Sequence, residues 1–159
     1  MSKFHTLDGL KVSGKRVLVR ADLNVPMKDG KVPDTTRIDR TVPTLIELAD
    51  QGARIIVVTH LGRPKGKVAP EFSLKPVAEA LSRSCKRPVA FAGDCVGPEA
   101  ARVTAAMKAG DIAMLENLRF HPEEEKNDAA FAKKLAALAD VYVTDAFSWE
   151  QKASRAFAA

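Results

Sequence analysis

Arginines, histidines and side-chain amides recur in this sequence at the ends of apolar, β-type runs. Three stretches share the pattern: residues 16–26 (RVLVRADLNVP), 54–64 (RIIVVTHLGRP) and 112–122 (IAMLENLRFHP). If the three runs are parallel strands of one sheet, their polar ends converge on one edge, where ligands of open α/β sheets bind. Guanidinium groups grip carboxylates and phosphates with two parallel hydrogen bonds, whereas lysine offers a point charge. Several arginines, with His60 and the Asp22/Asn24 pair to orient hydroxyls, suit a small phosphorylated hydroxy acid.

Each member of the constellation also has a plainer reading. Asp22 and Asn24 alternate with Ala21, Leu23 and Val25, so both point to one side of an extended segment; a turn pair closing the strand before Pro26 would look the same. His60 alone could be a strand-end histidine satisfied within the fold. With Arg63 three residues on, Gly62 to let backbone approach a ligand and Pro64 to keep Arg63 extended, an anion site is favoured. Arg119 fits either an anion contact or a structural pair with Glu116. Arg37 falls in the first turn of a helix, where free N–H groups favour negative charge. An arginine there opposes the helix dipole unless an anion accompanies it, a local inconsistency of the kind functional sites leave. Arg40 reads as a solvated helix residue.

Strand-length runs alternate with helical periods, which supplies the frame these residues need. The expected strands are Arg16 to Arg20, Ile55 to Thr59, Val89 to Ala92, Ile112 to Leu115 and Val141 to Val143. Between them, Thr35 or Thr36 can cap a helix with Ile38, Val42, Leu45, Ile46 and Ala49 on one face, closed by Gly52. Ser73 opens a second helix to about Ser84, Gly97-Pro98-Glu99 a third towards Lys108, and Asn127 or Asp128 a fourth through Leu138. Ser13-Gly14-Lys15 and Lys28-Asp29-Gly30-Lys31 are turn signals. The expectation is a three-layer α/β fold, an open parallel, Rossmann-like sheet with helices on both faces.

Composition narrows the function classes. The 159 residues, 46% hydrophobic and 28% charged, suit one globular domain, and a net charge of +5 favours anionic partners without choosing among them. Neither a phosphate-loop motif nor a Gly-x-Gly-x-x-Gly fingerprint nor a Gly-x-Ser-x-Gly elbow occurs. With 6% aromatic residues and no basic block, nucleic-acid binding by base stacking is disfavoured. Cys85 and Cys95 read as reduced thiols, no metal site is expected, and no run approaches a membrane span. A cytoplasmic location without membrane contact is the simplest expectation.

The segment Lys15 to Pro26 resembles a signature of the phosphoglycerate kinase family. Thr59-His60-Leu61-Gly62-Arg63-Pro64-Lys65-Gly66, Leu115-Glu116-Asn117-Leu118-Arg119-Phe120-His121 and Asp145-Ala146-Phe147 are similar to that family's motifs in the same order. The resemblance implies that residues 1–147 form the family's N-terminal domain, which binds 3-phosphoglycerate or 1,3-bisphosphoglycerate in a basic patch. Residues 148–159 then form an atypical tail, and the C-terminal domain that binds MgATP or MgADP is absent.

Carried over, Asp22, Leu23 and Asn24 would meet the substrate's carboxylate and hydroxyl end. His60, Leu61, Gly62, Arg63 and Arg119 would surround its phosphate, and Arg37 would stabilise the phosphoryl group in transfer, the catalytic role. After Asp145-Ala146-Phe147 the family's His-Arg-Ala-His type of motif is not matched; either Lys152 or Arg155 stands for its arginine. The implied activity is reversible phosphoryl transfer between 1,3-bisphosphoglycerate and ADP. This chain alone would be inactive, bind no nucleotide tightly, and expose an interdomain surface that favours self-association. A non-catalytic anion or nucleic-acid binder, or a complementation fragment, are the rival readings.

Overall fold

A computed structural model of the chain describes residues 13–21, 23, 28, 31–33, 35–59, 61, 70–121 and 129–145. Five parallel strands carry the fold: β1 (Arg16–Ala21), β2 (Arg54–Val58), β3 (Val89–Ala92), β4 (Ile112–Leu115) and β5 (Val141–Asp145). Among the described residues four α-helices connect them: α1 (Thr36–Asp50), α2 (Lys75–Cys85), α3 (Gly97–Ala105) and α4 (Ala129–Ala136). Strand order across the sheet is β3-β4-β2-β1-β5. All five expected strands form, and the two sheet faces are both covered, as near-continuous apolar runs require.

The period-2 alternation sorts side chains between two cores. Val17, Val19, Ile55, Val57, Ile112 and Met114 face α1 and α2, packing with Ile38, Leu45, Leu48, Val77 and Leu81. Leu18, Ile56, Val58, Ala113 and Leu115 face α3 and α4, packing with Ala100, Val103, Phe131 and Leu135. The two cysteines fall on opposite sides of the sheet, Cys85 in the first core and Cys95 in the second. Neither forms a disulfide, and burial pushes the Cys85 thiol up, against the opposing pull of Arg87.

The bottom of the sheet is tied by short polar contacts. Gly14, at φ 74°, donates its N–H to Gly52 O (2.9 Å), and Gly52 turns the chain out of α1 at φ 86°. Arg16 grips Asp140, its backbone N–H and Nη2 reaching the two carboxylate oxygens at 2.9 and 3.2 Å. That grip holds the Asp140 carboxyl below its ordinary pKa. Past the carboxyl end of β1, away from these ties, Lys28 and Lys31 pair through two 2.9 Å backbone bonds, as the turn signal in the sequence predicts.

Helix ends differ from the sequence expectation where distant side chains intervene. Thr35 does occupy the N-cap of α1, but its hydroxyl donates to Asp39 Oδ2 (3.0 Å) instead of accepting from the backbone. The N-cap of α2 is Leu74, one residue beyond Ser73; the Ser73 Oγ still accepts the Lys75 N–H at 3.3 Å while its hydroxyl donates to Glu116 Oε2 (2.7 Å). Helix α3 stops at Ala105, short of Lys108. The Lys108 N–H goes to Asp111 Oδ2 (2.8 Å), which withdraws it from the helix ladder. The start of the fourth helix near Asn127 or Asp128 and the tail at 148–159 lie outside the described residues.

Candidate functional site

In a parallel sheet all five carboxyl ends share one edge, and the crossovers decide where that edge opens. Helices α1 and α2, which follow β1 and β2, lie on one face; α3 and α4, which follow β3 and β4, lie on the other. The neighbours β2 and β4 therefore send their chains to opposite faces. A crevice opens between such strands, the topological switch point of an open α/β sheet. The strand-end segments beginning at Thr59 and Glu116 border it.

Asn117 organises this crevice. It is fully buried, and its Nδ2 donates to Leu61 O (2.8 Å) and Phe72 O (2.9 Å), locking the segment after β2 to the one after β4. Its Oδ1 accepts the Arg119 backbone N–H at 3.0 Å and starts the short 3₁₀ turn Leu118–Phe120. The Leu118 N–H donates to Thr59 O (3.1 Å), a second stitch across the same gap. Thr59, itself buried, accepts the Leu23 N–H on Oγ1 (3.2 Å), so the exit of β1 joins the network. Leu23, Leu61 and Arg119 are thereby held together by three strand ends and two polar side chains.

Glu116 braces the crevice from below. Its Oε1 accepts the backbone N–H groups of Leu74 and Asn117, both at 2.8 Å, while Oε2 accepts the Ser73 hydroxyl. The carboxylate of one strand end thus caps α2, 42 residues earlier in the chain, where negative charge also suits the helix dipole.

The cationic residues divide by exposure. Arg37 is the second residue of α1 and exposed, with its carbonyl accepting the Thr41 hydroxyl at 3.2 Å. Because α1 runs back from the carboxyl end of β1, its start belongs to the same edge of the sheet. Arg119 is 9% exposed, a guanidinium set into the protein with its backbone fixed by Asn117. Arg20, the penultimate residue of β1, is a further buried cation. Asp22, Asn24, His60, Gly62, Arg63, Lys152 and Arg155 lie outside the described residues. The signal for Asn117, Thr59 and Glu116 was present in the sequence only as polar residues following apolar strands.

Comparison with known proteins agrees with this geometry. The family model for phosphoglycerate kinase matches residues 7–158. A phosphoglycerate kinase of Bradyrhizobium diazoefficiens is 59% identical over 152 residues, which cover 96% of this chain and 38% of that protein. One from Granulibacter bethesdensis is 58% identical over 150 residues, covering 94% and 38%. Among solved structures, the phosphoglycerate kinase of Pyrococcus horikoshii superposes with a TM-score of 0.83 at 32% identity, over 92% of this chain and 37% of that one. That of Coxiella burnetii gives 0.78 at 40% identity, over 89% and 35%. The chain spans 38% of the length of these curated relatives and belongs to the phosphoglycerate kinase family.

Proposed function

We propose that this chain is the acid-binding part of a phosphoglycerate kinase, holding 3-phosphoglycerate or 1,3-bisphosphoglycerate at the carboxyl edge of its sheet. The observation that carries the reading is the coincidence of the family's ordered motifs with the strand ends that border the switch-point crevice. In this reading Asp22 and Asn24 take the carboxylate and hydroxyl end. His60, Arg63 and Arg119 take the phosphate, with the backbone of Leu23, Leu61 and Gly62 lining the approach. Arg155 is the candidate for a further substrate arginine.

The chemistry asked of these residues is positioning and charge neutralisation. Phosphoryl transfer from the acyl phosphate to ADP spreads negative charge over the transferring oxygens and needs little proton transfer from side chains. Arg37, exposed at the start of a helix on the substrate edge, is suited to meet that charge as it develops. MgADP and MgATP belong to the portion of the family enzyme that this chain does not span. Closing the two portions on each other would bring nucleotide to acyl phosphate and exclude water. The 159-residue chain assayed by itself is expected to bind the acid without turning it over. A cytoplasmic setting fits a soluble glycolytic role.

Calorimetric titration with 3-phosphoglycerate tests the reading. Arg63→Ala should weaken binding by about 1.5–3 kcal/mol, roughly 10- to 150-fold, as for one lost charge-assisted hydrogen bond. Unchanged affinity in that variant would move the site elsewhere. Displacement of the acid by short oligonucleotides, with a steep salt slope, would favour a nucleic-acid binder instead.

A further inference from the structure

Where β3 leads into α3, a second polar cluster lies outside the residues assigned to the acid. Asp94 and Cys95 sit on that connection, and His121 follows the 3₁₀ turn after β4. A carboxylate oxygen, the Cys95 thiol sulfur and an imidazole nitrogen all lie within 4.8 Å of one another. We propose that Asp94, Cys95 and His121 form a three-ligand site for a zinc-type divalent cation.

The donor set selects the metal. Magnesium and calcium demand several oxygen ligands, and this cluster offers one carboxylate. Thiolate, imidazole and carboxylate together suit zinc or cobalt, and three protein ligands leave a fourth tetrahedral position open. Metal–ligand bonds of about 2.0–2.3 Å place tetrahedral donors about 3.3–3.7 Å apart. The Asp94–His121 hydrogen bond, now 2.7 Å, opens slightly to reach that spacing, and a donor at 4.8 Å closes by about 1 Å.

The surroundings hold the ligands in place. Asp94 Oδ1 accepts the Cys95 N–H at 2.7 Å and the Val96 N–H at 3.4 Å, fixing the carboxylate beside the thiol. The His121 ring rests on Phe131 with centroids 5.3 Å apart, so an apolar wall fixes its plane. Cys95 is fully buried, whereas Asp94 and His121 keep 43% and 28% of their side chains exposed. The cation therefore enters past the carboxylate and imidazole and meets the sulfur innermost. Binding replaces the Asp94–His121 hydrogen bond: the imidazole takes its Nδ1–H tautomer so that Nε2 presents a lone pair, while the metal–sulfur bond forms and the thiol proton leaves to solvent.

The full 159-residue chain, cleared of metal by chelation, would be titrated with Co²⁺ and followed by absorption. The proposal expects a thiolate-to-cobalt charge-transfer band saturating at one equivalent, intensified visible bands of tetrahedral cobalt, and displacement of both by Zn²⁺. Cys95→Ala should abolish the charge-transfer band, while Cys85→Ser, on the other face of the sheet, should retain it. Asp94→Asn and His121→Asn should weaken binding by more than the roughly 10–100-fold that loss of an outer-shell partner costs. Should Cys95→Ala fail to fold by circular dichroism, the partly exposed His121→Asn decides alone. Absence of the band in the parent chain, or its survival at full affinity in His121→Asn, would overturn the proposal and leave the cluster a structural tie.

Discussion

Replacing Asn117 probes whether one buried amide holds the carboxyl edge of the sheet together. Asn117→Ala deletes two donations, to Leu61 O and Phe72 O, and one acceptance, from the Arg119 N–H. At about 1 kcal/mol net for each bond, the loss is about 3 kcal/mol. For a domain of this size that lowers the melting temperature by about 6–12 °C, at 2–4 °C per kcal/mol. Asn117→Asp is the sharper arm. It keeps the shape and the acceptor but sets a carboxylate oxygen against two carbonyl oxygens, where the Nδ2 now stands at 2.8 and 2.9 Å. At neutral pH it should be at least as destabilising as alanine. Burial and the facing carbonyls raise the folded-state pKa of the introduced aspartate, so stability should return as pH falls and a proton restores one donor. Urea unfolding of the three proteins across pH, with 3-phosphoglycerate titration alongside, measures this. An alanine variant within about 0.5 kcal/mol of the parent, or an aspartate variant more stable than alanine at neutral pH, would refute the role given to the amide.

Glu116→Gln should cost about 1–2 kcal/mol, since it keeps an acceptor for the two N–H groups but removes the charge at the start of α2 and turns an amide nitrogen to the Ser73 hydroxyl. Glu116→Ala should cost about 3 kcal/mol by stranding the Ser73, Leu74 and Asn117 donors; equal effects of the two in denaturant melts would deny the capping role. Asp140→Asn should cost about 0.5 kcal/mol at neutral pH, because the pair with Arg16 is largely solvent-exposed. The folded-state pKa of Asp140 is depressed, so its contribution is complete above the ordinary carboxylate value and fades as pH falls through the folded one. The difference between parent and variant melts should accordingly shrink in acid, and a difference that grows in acid would contradict the assignment.

The strands were legible because their signal is local. Runs such as residues 55–58 are β-branched and short, and burial on both faces leaves them uniformly apolar. Helix ends were less so, since Ser73 and Lys108 give their hydrogen bonds to Glu116 and Asp111 and no local pattern reports a distant or competing acceptor. Arg37 and Arg119, the cations of the candidate site, stand out by residue type wherever they fall in a motif. Asn117 and Thr59 did not, because their importance arises only when β2 and β4 become neighbours. Asn117 reaches Leu61 across 56 residues, a separation that periodicity does not register. Strand order was illegible for the same reason: it depends on which face each crossover takes.

The pairing of β1 with β5 has a consequence for synthesis. Val17 to Ala21 register with Val141 to Asp145, so one whole side of β1 is completed only by β5, the last of the described strands in chain order. At about 5–20 residues per second, the 124 residues between Arg16 and Asp140 take about 6–25 s to add. Throughout that interval β1 presents unpaired backbone and the apolar Val17-Leu18-Val19, the combination that recruits strands from other chains. Arg16 and Arg20 flank that run and bring like charge to any second copy that tries to pair there. The sheet's own topology thus leaves β1 open to misassembly on a nascent chain until β5 arrives.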